Sequence, residues 1–235
     1  MANKQRIINK RFGYKYVSGK PVFTIGPNTQ LNLHSICLIN NSSQGGMAGI
    51  GVSMPSRDFK LFTYQAGIAV LAEDTFVGFT SNAGDGFILQ SKTTPSIITF
   101  EADSVSGSPV LDFKYWNGTA FVSLTAQKAT LATGTNVYII APPFDWQVGS
   151  DIVGTDTSLY TLIITASTAP SADVNVSAFL PAQGIVIRDD VGSLQALSVA
   201  FEDHQYLLNQ GEYLLPYFEH ADDNNVLEIS YRINP

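Results

Sequence analysis

Charge is what this sequence has least of: Asp, Glu, Lys and Arg make up 14% of its 235 residues, against about 25% in an ordinary soluble domain. Disorder is excluded all the same, because 45% of the residues are hydrophobic and can build a core. Much of the surface is therefore Ser, Thr, Asn and Gln, or lies against neighbours. Cysteine is nearly missing. Cys37 has no partner for an intrachain disulfide, and in the apolar run from Leu31 to Ile39 it reads as a small buried hydrophobe. No apolar run approaches the roughly 20 residues of a membrane span. The basic N-terminal segment lacks the apolar stretch of a signal peptide, so neither secretion nor a membrane partner is expected. Long stretches of Ala, Leu, Glu and Lys, the residues that favour helix, are absent as well.

Acid is missing from one end. Lys4, Arg6, Lys10, Arg11, Lys15, Lys20 and Arg57 precede the first carboxylate, Asp58, and the remainder carries 20 acids against six bases. Charges segregated in this way favour head-to-tail association of copies, or docking of the basic segment on another acidic surface. Nucleic acid is a poorer partner, since the basic density is modest and the acidic remainder repels phosphate.

What is present is turn punctuation between short apolar runs, with Gly and Pro spread along the whole chain. That pattern reads as all-β: a β-sandwich, jelly-roll-like, over residues 22–235, with an extended basic N-terminal arm over 1–21. In the arm Phe12, Tyr14 and Tyr16 alternate with Gly13 and Lys15. One face of an extended segment is then aromatic, suited to adding to a neighbour's sheet edge or to opening the chain's own domain. Residues 31–39 read as a strand and 40–51 as a loop of small residues. Residues 174–179 read as a strand ending before Pro181, and 193–201 fit a short helix or a strand equally.

The sharpest local pattern is 111–124, Leu-Asp-Phe-Lys-Tyr-Trp-Asn-Gly-Thr-Ala-Phe-Val-Ser-Leu. Asn117-Gly118 between alternating runs predicts a two-residue type I′ hairpin. Pairing outward from that turn sets Trp116 opposite Thr119 and Phe113 opposite Val122. Leu111, Phe113, Tyr115, Val122 and Leu124 then share a core face, while Trp116 and Phe121 are diagonal neighbours on the other. That second face is too aromatic to be bare and must meet a loop, another sheet or another chain.

Three motifs in this part of the chain are Tyr115-Trp116-Asn117-Gly118 with Phe121, Pro142-Pro143-Phe144-Asp145-Trp146, and the alternating run from Tyr160 to Thr165. In that order they resemble a β-sandwich module of tailed-bacteriophage virion structural proteins, over about 66–180. The chain departs from the module in having Phe121 in place of a tryptophan, and Thr161, Ile163 and Thr165 in place of basic residues on the last strand. The resemblance implies a component of the virion: a capsid decoration subunit, a head fibre or a tail part.

Motifs for chemistry are lacking. His34, His204 and His220 have no zinc spacing, there is no nucleophile elbow, and Gly84-Asp85-Gly86, Asp189-Asp190 and Asp222-Asp223 lack the spacing of a calcium loop. Neither an enzyme nor a cofactor is expected. The expected function is that of a capsid decoration or cementing subunit in a virion, binding other copies of itself and virion proteins through Lys4, Arg6, Lys10, Arg11, Phe12, Tyr14, Lys15, Tyr16, Trp116 and Phe121. The competing function is a carbohydrate-binding adhesin of a head fibre or tail, in which exposed Trp116, Phe121 or Trp146 stack on a glycan.

Overall fold

In the computed structural model residues 7–13, 23–24, 30–54, 56–126, 129–201, 207–208, 212–218 and 225–234 are described. The chain is all-β, built of several antiparallel sheets, in two compact units: Met54–Gln183, and Met1–Ser53 together with Gly184–Pro235. The expected body over 22–235 thus divides in two, and the motifs at 115–165 fall in the continuous unit. Among the described residues no helix is long and apolar enough to cross a membrane.

The discontinuous unit opens with β1 (Ile8–Gly13), β2 (Phe23–Thr24), β3 (Gln30–Asn40) and β4 (Gly46–Ser53). A 3-10 turn, Ser56–Asp58, begins the continuous unit. Its strands are β5 (Phe59–Gln65), β6 (Ile68–Leu71), β7 (Phe76–Phe79), β8 (Gly86–Ser91), β9 (Ile97–Ala102), β10 (Val110–Trp116), β11 (Phe121–Leu124), β12 (Gly134–Ile139) and β13 (Tyr160–Thr168). β14 (Val174–Val191) belongs to the continuous unit up to Gln183 and to the other from Gly184. β15 (Gln195–Ala200), β16 (Leu207–Leu208), β17 (Tyr213–Phe218) and β18 (Val226–Asn234) complete the discontinuous unit.

In the continuous unit β11, β10, β13, β8, β5 and β6 lie side by side in that order, while β12, β9, β14 and β7 belong to a second sheet. Side chains of both sheets meet in one core, so the unit is sandwich-like. Phe87 of β8 meets Phe100 of β9 edge to face at 5.5 Å, and Phe113 of β10 meets Tyr138 of β12 at 5.3 Å. Such ring pairs favour these offset and tilted geometries because of their quadrupoles. A bulge between Ser177 and Leu180, with Ala178 at φ +48°, interrupts β14. Within it Phe179 stacks on Phe100 at 6.2 Å.

The core of the discontinuous unit is mostly aliphatic, including Leu33, Leu38, Ile50, Leu214, Leu227 and Ile229. β3 is central in its sheet, with β18 on one side and β15 and β16 on the other, while β1 pairs with β18 at the edge. Of the expected arm, therefore, residues 8–13 are an edge strand preceded by Ile7; residues 1–6 and 14–21 lie outside the described residues.

Three local expectations are corrected. Residues 46–53 are a strand, because Ala48, Ile50 and Val52 alternate behind the glycines that had read as a loop. Gly49 and Gly51 pair with Tyr217 and Leu215. Pro181 does not end β14: it follows the bulge, still pairs with Ile98, and its carbonyl accepts the Met54 N–H at 2.8 Å. Cys37 is half-buried rather than a core residue, with the Ser198 hydroxyl 3.0 Å from its sulfur. Residues 195–200, open between helix and strand, are the strand β15.

Candidate docking surfaces

Lys10 and Arg11 are exposed on β1, an edge strand with β18 as its neighbour. The register sets Arg11 opposite Glu228, with Nε and Oε1 3.4 Å apart. Both side chains face water, so this pair contributes about 1 kcal/mol or less. Its importance lies in the charge pattern. The acid-free start of the chain meets its acidic end within one unit, which holds eight bases and nine acids; the continuous unit holds five and eleven. Asn9, Lys10, Arg11, Glu228, Ile229 and Ser230 line a surface depression of about 400 Å³. Phe12 lies opposite Leu227 in the strand register. Lys4, Arg6, Tyr14, Lys15 and Tyr16 lie outside the described residues.

Trp116 and Phe121 do come together, though by a different register from the expected one. Trp116 lies directly opposite Phe121, and Phe113 opposite Leu124, with ring centroids of the first pair 5.1 Å apart. The turn is four residues long because Asn117 Oδ1 accepts the Thr119 N–H, the Ala120 N–H and the Thr119 hydroxyl at 2.9–3.0 Å. Only Gly118 of the Asn-Gly pair has positive φ, whereas a type I′ turn needs both. A shift by two residues preserves the faces, so Leu111, Phe113 and Tyr115 are buried as expected.

The second face of that sheet meets the chain's own loop. Thr161, Ile163 and Thr165 on the outer face of β13 are buried, and Ile88, Phe62, Phe121 and Ile152 cluster with Ile163. Buried Gln90 anchors the loop: its Nε2 donates to the Asp156 carbonyl at 2.8 Å and its Oε1 accepts the Asp156 N–H at 2.8 Å. Thr161 donates its hydroxyl to the Gly149 carbonyl at 2.7 Å. Gly149, at φ +133°, comes so close to Trp116 that a Cβ would stand 2.6 Å from the indole nitrogen. Trp116 and Phe121 are therefore half-buried packing residues under a stapled loop.

Trp146 is buried, 5.6 Å from Tyr115 and 6.5 Å from Tyr160. The Tyr115 hydroxyl donates to Asp145 Oδ1 at 2.9 Å, and desolvation, that bond and the Asp145 charge raise the phenol above its ordinary value. Asp85 acts as another staple, accepting the Thr80 hydroxyl at 2.6 Å and the Ala66 N–H at 2.9 Å. Desolvation pushes its carboxyl up, but hydrogen bonds from Thr80, Ala66 and Asn82 outweigh it and hold the group below the usual carboxylate range. These arrangements hold loops and turns in place. Among the described residues no three His, Cys, Asp or Glu side chains converge as a metal set.

Sequence reasoning passed over β6, whose Ile68, Val70 and Leu71 are exposed on a sheet edge, and the exposed Val153 and Phe144. An unbroken apolar run such as Ile68-Ala69-Val70-Leu71 reads as buried, and nothing local shows it to be at an edge. The Ala66-Gly67 turn, with both residues at positive φ, was the available signal for the hairpin. In comparisons with protein-family models, curated proteins and solved structures, the chain matches none.

Proposed function

We propose that this protein is a structural component of a tailed-phage virion, a capsid decoration or cementing subunit that works by docking and not by catalysis. In this reading the continuous unit is a jelly-roll-like β-sandwich, the N-terminal segment is the arm, and the partners are other copies and virion proteins. One observation carries the reading: the three motifs behind the resemblance to phage modules pack on one another, through Tyr115, Trp146 and Tyr160. Residues 31 and 14 positions apart in sequence thus act as one structural signature. The exposed basic edge strand supplies a docking element, and repetition on a symmetric particle makes weak contacts collectively strong.

Co-sedimentation with tailed-phage particles lacking the protein tests this. Saturable binding that disappears on deletion of residues 1–20, with the fold retained by circular dichroism, supports docking through the arm. Binding unchanged by the deletion removes the arm from the mechanism, and no binding to any virion part removes the reading.

The fully exposed Phe144 beside Pro143 favours the second reading, a glycan-binding adhesin. Trp146 is too buried to stack on a sugar and Trp116 and Phe121 are half-covered, whereas Phe144 is, among the described residues, a ring fully open to one. Glycan-array binding abolished by Phe144→Ala, without loss of particle association, is the outcome expected of that reading.

A further inference from the structure

The sheet edges of the two units differ in chemistry. β1 has a hydrogen-bonded neighbour on one side among the described residues and bears Lys10 and Arg11, with exposed Ile7 just before it. Edge cations of this kind discourage indiscriminate strand pairing. Among the described residues β6 also has one neighbour, β5, but it carries no charge, proline or bulge. Ile68, Val70 and Leu71 are 65%, 58% and 66% exposed. Gly154 stands against the Ala69 carbonyl, which brings Val153, 90% exposed, beside the strand. Exposed carboxylates flank this apolar edge in sequence: Glu73 and Asp74 follow β6, and Asp151 precedes Val153. Contiguous exposed apolar surface with a polar rim marks an interaction site.

We propose that the edge formed by β6 and Val153 on one copy receives the basic edge strand β1 of another copy, in a head-to-tail contact. The inference rests on the docking role proposed above and names the partner as this same chain. Charge selects that occupant. The unit bearing β6 holds five bases against eleven acids, while β1 belongs to the acid-free start of the chain. Pairing β6 with itself about a two-fold axis would set like charge against like, since each of the two units brought together holds five bases against eleven acids. Pairing β1 with itself would do the same with Lys10 and Arg11. The mixed contact alone brings opposite signs together and covers the apolar side chains. Two different surfaces meeting in this way generate rings or open chains rather than closed dimers. The edges are short and bury less than the roughly 1,200 Å² of a stable complex, so association is weak in solution and matters when copies are concentrated.

Sedimentation velocity on the purified full-length chain tests the proposal, at low salt and at concentrations up to the order of 1 mM, where so small an interface is populated. No particle is present, so a failure here is separable from a failure to bind virions. The unaltered chain is expected to show masses above that of one copy, with apparent affinity falling about tenfold on going from low to high salt. Val70→Lys/Leu71→Lys, which blocks β6, and Lys10→Glu/Arg11→Glu, which blocks β1, should each sediment as single copies. Mixed in equal amounts they should form one-to-one dimers and nothing larger, since each retains the edge the other has lost. Circular dichroism and the urea midpoint confirm that each variant is folded, and Lys10→Gln/Arg11→Gln serves if the charge-reversed form is not. A chain that stays monomeric under all conditions overturns the proposal. So does dissociation by the β6 variant alone or the β1 variant alone, which would mean self-pairing of one edge, or a mixture that fails to dimerise.

Discussion

The two units solve the same problem with different materials. The continuous unit fills the space between its sheets with interlocked rings, among them Phe76, Phe79, Phe87, Phe100, Phe113, Tyr115, Tyr138 and Trp146. The discontinuous unit relies mostly on Leu and Ile, and its central strand β3 pairs with a strand some two hundred residues away in β18. Ring pairs add geometric preference to burial, so the aromatic unit gains specificity from its own contiguous segment. The aliphatic unit acquires its sheet only when both ends of the chain are present. A contiguous core suits a rigid body, and an assembly of chain ends suits the surface where an edge such as β1 is displayed.

The sharpest way to break this comparison is to cut the chain. Residues 54–183 expressed alone are expected to fold, with a cooperative thermal transition, whereas residues 1–53 alone should show no transition, because β3 then lacks β15, β16 and β18. Next in size is a pair of cavities. Phe87→Ala removes a fully buried ring that meets Phe76, Phe79, Phe100 and Phe179, at a cost of about 3–5 kcal/mol; Leu38→Ala in the other unit should cost about 2–5 kcal/mol. In urea unfolding followed by unit-specific hydrogen exchange, each change should weaken protection chiefly in its own unit. Equal loss in both would show that the two unfold as one.

A smaller effect is expected at Asp85, where Asp85→Ala strips Thr80 and the Ala66 N–H of their acceptor at about 2 kcal/mol near neutral pH. The folded carboxyl titrates below its ordinary value of 3.8. Its stabilisation is therefore complete above that value and is lost as pH falls through the lower folded one. Denaturation curves at neutral pH and near pH 3 should show the gap between the two proteins narrowing in acid. Smallest is Arg11→Ala, expected to change stability by under about 1 kcal/mol while weakening self-association; a large stability loss would make the ion pair with Glu228 a folding element instead of a surface one.

The residues themselves show why some of this was legible and some was not. Period-two alternation located β10, β11 and β13 with their correct faces, because burial of one face is written directly into the pattern. The hairpin register was not legible, since the Asn117 side chain supplies the acceptor that backbone rules assign to a tighter turn. β4 was hidden by glycines that close pairing permits. Of the candidate site, the Trp116–Phe121 contact was readable and its cover was not. The loop reaches back through Gln90 and Thr161, bonds of long sequence separation with no local signature. Exposure of β6 depends on strand order, which no single segment reveals.

The proposed role of the protein stands or falls most directly on co-sedimentation of the purified chain with tailed-phage particles stripped of it. The account predicts saturable binding at a fixed number of copies per particle, weakened by salt and by loss of the basic residues at 4–11. A chain that stays in the supernatant at every concentration, indifferent to heads and tails alike, would contradict it.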